Sequence, residues 1–262
     1  MTVLGVDFRM ATAIWQRNLA LYRRTWLMNI LPNFFEPVLY LVGMGIGLGA
    51  YMSGELEGSA YLAFIAPGLM AAAAMNGATF ETTYNVFIKL HFQRLYDAYL
   101  GTPAMIQDIV AGELMWAVTR ASIYGFGFLV VLGALTLWGY PILTSPLAVL
   151  LPLLVALTGL LFALIGAVFT ALIKTIDLYS YFFTLFLTPL FLFSGIFFPT
   201  DRFPYGDTVA WFTPLYHAVR VARGLAQGPL ELEHAVSVGW IVVASAVLML
   251  IVPRLMRRRL VT

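Results

Sequence analysis

Charged side chains inside long apolar stretches are the residues of this sequence with the most evident chemistry. Glu36 lies in the first such stretch, and Glu113 and Arg120 stand seven residues apart in a later one. A charge within a bilayer is costly and usually faces protein or water. Glu36 and Arg120 have matching depths of ~14 to 17 Å at 1.5 Å per residue. Arg120 is therefore predicted to pair with Glu36 or Glu113, and the pair either fixes helix packing or takes part in substrate passage or gating.

Other reactive chemistries are disfavoured by residue type. The chain has no cysteine, which removes disulfides, thiol catalysis and Cys-ligated metals, and its three histidines are scattered at positions 91, 217 and 234. It has no phosphate-binding G-x-x-x-x-G-K-[ST] motif. Constellations typical of an intramembrane enzyme are also missing at any one depth. We expect no catalytic site, no metal site and no cofactor bound by this chain, and the net charge of +2 is too small to indicate a nucleic-acid partner.

The elements that position these charges must be membrane helices. Of the 262 residues, 61% are hydrophobic and only 11% are charged, whereas a soluble domain carries about 25% charged residues. Since a membrane-crossing helix needs about 20 apolar residues, the sequence predicts an all-α integral membrane protein with six spans. They cover approximately residues 27–50, 59–83, 109–137, 146–173, 177–198 and 235–253.

The distribution of basic residues predicts the orientation of these spans. Cytoplasmic loops are enriched in Lys and Arg, and eleven of the 15 basic residues fall on one side, which places both termini in the cytoplasm. Residues 1–26 are predicted to form an amphipathic interfacial helix, either as a membrane anchor or as a docking surface, and residues 254–262 a basic cytoplasmic tail. The eleven residues are Arg9, Arg17, Arg23, Arg24, Lys89, Arg94, Lys174, Arg254, Arg257, Arg258 and Arg259.

Three further segments could act in transport. The second cytoplasmic loop contains a helix break at Thr102-Pro103 and is either an ordinary connection or an element that transmits movement. The fifth span is rich in aromatic residues, which face lipid and protein or line a pathway. The external segment of about 200–232 is too apolar for a solvated loop and too interrupted to cross the bilayer. There His217, Arg220 and Arg223 form a stripe that either anchors the helix at headgroups or serves gating or an anionic substrate group.

Three runs of sequence carry a family resemblance. They are MNGATFETTYNVFIKLHFQRLYDAYLGTPAMIQDIVAGELMWAVTRAS, FLFSGIFFPTDRFP and WFTPLYHAVRVARG. Together they resemble the permeases of ABC-2 type exporters, and most closely the NodJ branch, which exports lipo-oligosaccharide nodulation factors. The likeness covers nearly the whole chain and includes the interfacial helix, the six spans and the Ser-Gly-x-Phe-Phe-Pro end of the fifth span.

The resemblance implies partners and assigns residues. It implies a homodimeric permease in the bacterial cytoplasmic (inner) membrane, with two copies of a separate ABC ATPase that bind ATP and magnesium, and with lipids and an amphipathic substrate as further partners. It implies a coupling helix at about residues 89–100, re-entrant external helices at about residues 200–232, and a fifth span beside the pathway, where Phe183, Phe186 and Phe193 are candidates together with His217 and Arg220. The coupling candidates are Lys89, His91, Gln93, Arg94, Tyr96 and Asp97.

The leading hypothesis is therefore a transport subunit, not an enzyme. It would belong to an ATP-driven exporter that moves a lipid-linked saccharide, a lipo-oligosaccharide or another amphipathic molecule out of the cytoplasm or the inner leaflet. A hydrophobic drug or antibiotic efflux permease of the same class is the alternative. An ion-coupled secondary transporter is a weaker one, because such proteins carry several membrane-embedded carboxylates or unwound half-helices near the midplane.

Overall fold

The structure, a computed structural model, describes residues 2–3, 5–49, 60–202 and 204–260. Two short strands, β1 (Thr2–Val3) and β2 (Val6–Asp7), pair in antiparallel fashion before the first helix. The longer elements are all helices. They are α1 (Phe8–Tyr40), α2 (Tyr61–Phe80), α3 (Leu95–Leu100), α4 (Ile106–Leu137), α5 (Leu151–Leu172), α6 (Leu178–Tyr181), α7 (Thr188–Leu192), α8 (Gly206–Trp211), α9 (Pro214–Gln227) and α10 (Leu232–Leu260).

Several helices are extended by stretches of wider or tighter helical geometry. π-helical turns lengthen α1 over Leu41–Leu48 and α2 over Glu81–Asn85 and Ile88–Phe92. A further π-helical segment, Phe182–Leu187, joins α6 to α7. Short 3₁₀ helices at Pro146–Leu150 and Thr200–Arg202 precede α5 and α8.

The prediction of an all-helical membrane protein is confirmed in its coarse form. Among the described residues, four helices are long and apolar enough to cross a membrane, at 61–92, 106–137, 146–172 and 232–259. They match the predicted second, third, fourth and sixth spans. The predicted fifth span is a shorter apolar helix, Leu178–Leu192, which gives way to irregular backbone from residue 193 onward. The number of six spans stays a prediction.

The first helix differs from its predicted division. The sequence places an interfacial helix over residues 1–26 and a span from residue 27, whereas α1 runs without interruption from Phe8 to Tyr40. The predicted boundary falls at Trp26 and Leu27, neither of which breaks a helix, so nothing local ends it there. Asp7 begins α1 by accepting a hydrogen bond from the backbone N–H of Arg9 at 2.9 Å. The charged and apolar halves therefore form one continuous element.

Helix α2 lies at the centre of the bundle. Its residues are almost all buried, and α1, α4, α5 and α9 pack around it. Small residues also permit a close approach between the surrounding helices α1 and α4. A Cβ on Gly112 of α4 would stand 2.8 Å from the carbonyl oxygen of Ala11 and 2.8 Å from Cβ of Ile14 on α1. In lipid, where the hydrophobic effect between helices is weak, such close van der Waals packing is what holds the helices together.

The segment after the fifth apolar helix folds back onto the bundle. Helix α9 buries one face against α2 and α10, with Leu215, Ala218 and Ala222 fully enclosed. Its two ends are defined by Pro214 in the first turn and by Gly228, whose φ of 62° lies in the left-handed region. The segment predicted to form re-entrant helices contains α8 and α9, and its placement in the membrane stays a prediction. Phe203 of this segment lies outside the described residues.

Candidate functional site

Four charged side chains are buried together where α2 and α4 meet α1. Glu81, Lys89, Glu113 and Arg120 are each between 2% and 6% exposed. Nζ of Lys89 lies 2.9 Å from Oε1 of Glu81 and 2.6 Å from Oε2 of Glu113. Nη1 of Arg120 lies 2.7 Å from Oε2 of Glu81. We call these four residues the charge cluster, and its two acids and two bases compensate each other.

The spacing of these residues along two helices brings them together. Glu113 and Arg120 are seven residues apart on α4 and therefore share a face. Glu81 and Lys89 lie eight residues apart in the extension of α2, where π-helical turns widen the helix. π-turns of this kind occur frequently at functional sites. The sequence thus presents two acids and two bases to one junction.

Neutral polar groups connect the charge cluster to α1. Asn18 donates from Nδ2 to Oε2 of Glu113 at 3.1 Å. Arg120 donates to the hydroxyl of Tyr124, which donates in turn to the carbonyl oxygen of Asn29 at 3.0 Å. The ring of Tyr124 packs directly over Gly77, where a Cβ would collide with it. Three helices are therefore joined through one continuous polar path.

Two atoms of the charge cluster form no hydrogen bond within the described part of the chain. Among the described residues, no hydrogen-bond partner meets Oε1 of Glu113 or Nε of Arg120. The hydroxyl of Tyr96 in the short helix α3 is also buried without a partner, and Tyr96 and Glu113 line the same small cavity of about 20 Å³. Burial raises the pKa of Tyr96 well above its usual value, and the nearby Glu113 carboxylate raises it further. Tyr96 is therefore a neutral hydroxyl beside a buried carboxylate.

The structure assigns Arg120 a partner that the sequence prediction did not name. Its acid is Glu81, whereas Glu113 binds Lys89 and Asn18. The side chain of Glu36 lies outside the described residues. Glu81 falls inside the predicted second span, so a charged residue at the end of that apolar stretch was the signal that could have identified it. Asn18 and Tyr124 are uncharged, and no comparable sequence feature marks them as part of this site.

The six predicted coupling residues divide into two groups. Lys89 and Tyr96 are buried, while the other four are exposed. The chain turns sharply at Arg94, whose φ of 46° lies in the left-handed region, and α3 follows. His91 shares a hydrogen bond of 2.9 Å with Nη2 of Arg259 at the end of α10. The exposed four are His91, Gln93, Arg94 and Asp97.

The aromatic residues of the fifth apolar helix also take different positions. Phe183 stacks on Tyr84 at 5.5 Å and packs against Phe80 at 4.8 Å between ring centroids. Phe186 turns instead toward Phe169 of α5 at 5.5 Å, and Phe193 is 50% exposed. Phe183 also lines a cavity of about 190 Å³ between α1, α2 and the fifth apolar helix. We call this cavity the aromatic cleft.

The predicted polar stripe on α9 consists of three unlike residues. His217 is fully buried, with Nε2 2.8 Å from the carbonyl oxygen of Trp211 and Nδ1 3.2 Å from the Ser237 hydroxyl. Because that carbonyl can only accept, Nε2 carries the proton of a neutral ring. Burial lowers the pKa of His217, the Trp211 carbonyl opposes this shift, and Arg220 adds to it. His217 is thus a structural residue inside the packing between α9 and α10.

The two arginines of the stripe are engaged with protein groups. Arg220 forms an ion pair with Glu233. Arg223 donates from Nη2 to the carbonyl oxygen of Gly195 at 2.9 Å and from Nε to that of Phe64 at 3.3 Å. Both arginines line a cavity of about 680 Å³ at the end of the bundle opposite the charge cluster. We call it the polar cavity.

Comparison with known proteins identifies similar chains. The family model of the ABC-2 type transporter matches residues 10–226. Nodulation protein J of Rhizobium leguminosarum bv. viciae is 39% identical over 250 residues, which cover 95% of this chain and 94% of the relative. Nodulation protein J of Rhizobium meliloti (strain 1021) is 37% identical over 95% of this chain and 93% of its own length. The predicted resemblance is confirmed.

A more distant relative comes from an enteric bacterium. The inner membrane transport permease YadH of Escherichia coli (strain K12) is 26% identical over 235 residues, which cover 88% of this chain and 89% of the relative. The similarity therefore extends over most of each chain compared. The charge cluster and the two arginines of the polar cavity lie within residues 10–226, the range that the family model matches.

Proposed function

Because the chain belongs to the ABC-2 type transporter family, we propose that it is the membrane subunit of an ATP-driven exporter. The proposed substrate is a lipid-linked saccharide, a lipo-oligosaccharide or another amphipathic molecule, moved out of the cytoplasm or the inner leaflet. ABC-2 permeases are transport subunits that work with an ABC ATPase. The proposed complex contains two copies of this chain and two of the ATPase, in the inner membrane, with both termini in the cytoplasm.

The observation that carries this proposal is the contact between α3 and the charge cluster. The exposed residues around Arg94 and Asp97 are accessible to a partner, while Tyr96 in the same segment is fully buried against Glu113. A push on α3 would therefore reach α4 through Glu113 and α2 through Lys89. Side-chain networks with two discrete arrangements can carry such coupling. The coupling segment is thus in direct contact with the membrane helices.

The unbonded atoms of this contact suggest how it could change. The hydroxyl of Tyr96 and Oε1 of Glu113 are both buried without a partner. A buried polar atom without a hydrogen bond costs about 1 to 3 kcal/mol. The two groups already lie close enough for the Glu113 carboxylate to raise the pKa of the Tyr96 hydroxyl, so a small change in the orientation of α3 would make or break a well-formed hydrogen bond between them. ATP-driven movement of the partner would then favour one of two arrangements of the junction.

The aromatic cleft supports an amphipathic substrate. Its lining is apolar and aromatic, with Tyr40, Phe80, Phe183 and Phe191 around it and Asn76 as a polar group. Such a surface suits alkyl chains and ring faces, which need no hydrogen bonds. Phe183 is the proposed contact for the apolar part of the substrate, and the same lining would also accept a hydrophobic drug.

The test is export by the purified complex of permease and ATPase in proteoliposomes. Tyr96→Ala and Arg94→Ala should retain ATP hydrolysis and lose most substrate export, because the partner would turn over without moving the membrane helices. Trp138→Ala is the matched control, since Trp138 is 83% exposed at the other end of α4. Full export by both coupling variants would contradict the assignment of α3.

The same preparation separates the candidate functions. A secondary transporter would be favoured if no ATPase co-purified with the permease and if flux were driven by protons or sodium. Stimulation of ATP hydrolysis by hydrophobic drugs but not by a glycolipid would favour the efflux alternative, which the apolar lining of the aromatic cleft also accommodates.

A further inference from the structure

The polar cavity has the size of a ligand site and a lining unlike the rest of the molecule. Its volume is about 680 Å³, within the range of roughly 300 to 1,000 Å³ that small-molecule sites occupy. It lies between the loop after the fifth apolar helix, helices α8 and α9, and the start of α10. The aromatic cleft and the packed helices elsewhere offer mainly apolar surface, whereas here charged and amide groups converge.

The charges of the lining disfavour an anionic ligand. Its carboxylates belong to Asp201, Asp207, Glu231 and Glu233, against two arginines. One arginine, Arg220, is already compensated by Glu233. The other donates to backbone carbonyl oxygens and lies over the ring of Phe64 at 3.7 Å. An added anion would therefore meet an excess of negative charge.

The same groups suit a ligand that is rich in hydroxyl groups. Carboxylates accept hydrogen bonds from hydroxyls, and each carboxylate offers two oxygens. Asp207 already accepts such a bond from the hydroxyl of Thr200 at 2.5 Å. Asp201 and Glu231 are exposed where they line the cavity. Hydrogen bonds to charged groups are the stronger ones, so several hydroxyls in one ligand would be held well.

Two aromatic residues add the apolar surface that a sugar ring needs. Trp211 and Tyr216 both line the polar cavity, and Trp211 is 38% exposed. Their rings present an apolar face together with a polar group at the edge. The faces of a pyranose ring carry C–H bonds, while its rim carries hydroxyls. An aromatic face beside carboxylates therefore matches both surfaces of a saccharide.

We propose that the polar cavity is a binding site for the neutral saccharide part of the exported molecule. The inference rests on the proposed function, since it assigns the ligand class of an exporter at the end of the bundle opposite the coupling segment. Trp211 is the stacking residue, and Asp201, Asp207 and Glu231 accept hydrogen bonds from the sugar. The apolar part of the same molecule would pass by the aromatic cleft.

Binding of defined oligosaccharides to the full-length permease in lipid nanodiscs tests this site. The neutral probe is a tetrasaccharide of N-acetylglucosamine, and the anionic probe is a tetrasaccharide of galacturonic acid. We expect the neutral probe to bind and the anionic probe to bind at least about tenfold more weakly, because the charge of the lining opposes it. Stronger binding of the anionic probe would overturn the assignment of ligand class.

Matched tryptophan variants locate the binding site. Trp211→Ala should weaken binding of the neutral probe about tenfold, which corresponds to the loss of one aromatic contact. Trp138→Ala removes a tryptophan at the same end of the bundle that does not line the cavity, and it should leave affinity unchanged. Equal losses in both variants would contradict the location.

A second variant covers the case in which Trp211→Ala fails to fold. Glu231→Gln keeps the shape and one hydrogen-bonding oxygen of an exposed side chain and removes one negative charge. It should therefore reduce the difference in affinity between the neutral and the anionic probe. An unchanged preference for the neutral probe would count against the role of the carboxylates.

Lack of any oligosaccharide binding by a complex that still couples ATP hydrolysis to export would overturn the site but leave the proposed function intact. Failure to assemble with an ATPase would overturn the proposed function even where sugar binds.

Discussion

Similar charged groups lie beside the two ends of α2 and its extension, in different environments. At one end Glu81 and Lys89 belong to the charge cluster, in which acids and bases bind each other in a space closed to solvent. At the other end Arg223 reaches the carbonyl oxygen of Phe64 from the rim of the polar cavity. There Arg220 pairs with Glu233, whose side chain is 61% exposed.

This difference determines what each region can do. A buried pair is costly to break, because the remaining charge has no partner and little solvent. It therefore suits a junction that holds helices in one arrangement or switches between two. An exposed pair gains little energy, and its groups can exchange partners with a ligand. We infer that the charge cluster transmits movement and that the polar cavity binds.

The largest expected effect is the loss of Glu81. Glu81→Leu would leave Lys89 with one acid and Arg120 with none of its present ion pairs, and removal of one partner of a buried pair costs about 3 to 5 kcal/mol. The measurement is the free energy of unfolding by SDS titration in mixed micelles. Glu231→Leu, an exposed acid of the polar cavity, is the control and should change it by less than about 1 kcal/mol. Equal losses of unfolding free energy in Glu81→Leu and Glu231→Leu would contradict the distinction between the two regions.

The second prediction concerns the pair of Lys89 and Glu113. Each single change, Lys89→Met or Glu113→Gln, should destabilise the protein, and the double variant should lose less than the sum. Groups in contact show coupling energies of about 0.5 to 3 kcal/mol in such cycles, and burial places this pair toward the upper end. Additive losses would mean that the 2.6 Å contact contributes no coupling of its own.

The two regions also differ in how far the sequence predicted them. Hydropathy predicted four of the long helices and the short apolar fifth, because an apolar run reports membrane burial directly. It placed a boundary at Trp26 because the composition changes there from charged to apolar, but a change of composition does not end a helix where no helix-breaking residue stands. Arg120 was recognised as a charge in need of a partner. The identity of that partner, Glu81, depends on how α2 and α4 pack.

The external segment is a second case in which the sequence predicted a helix but not the contacts of its side chains. The three-residue spacing of His217, Arg220 and Arg223 correctly indicated a helix, but it did not reveal that the residues diverge in environment. His217 enters the packing with Trp240, on which its ring stacks at 4.5 Å. Arg220 finds its acid on the next helix. Spacing along one helix cannot report which neighbouring helix covers each side chain.

The third prediction is a pH dependence that arises from His217. Its pKa is lowered in the folded protein, so the unfolded chain binds a proton more readily. The stability that the neutral ring contributes is therefore present above the ordinary pKa of about 6.5 and is lost as pH falls toward the lowered value, by at most about 1.4 kcal/mol per pH unit. His217→Gln should unfold with a weaker dependence over this range. If His217→Gln lost unfolding free energy with falling pH as steeply as the unsubstituted protein, the acid sensitivity would arise from other groups.

The smallest effect, and the sharpest test of the comparison, is expected for Arg220 and Glu233. Their contact is an ion pair like those of the charge cluster, but the Arg220 side chain is 23% exposed and that of Glu233 is 61% exposed. Exposed pairs contribute about 0 to 1 kcal/mol and weaken with salt. A cycle of Arg220→Ala and Glu233→Ala should therefore give a coupling energy well below that of Lys89 and Glu113, and 0.5 M salt should reduce it further. A coupling energy as large as that of the buried pair would mean that exposure does not separate the two regions, and that the polar cavity is held by a junction of its own.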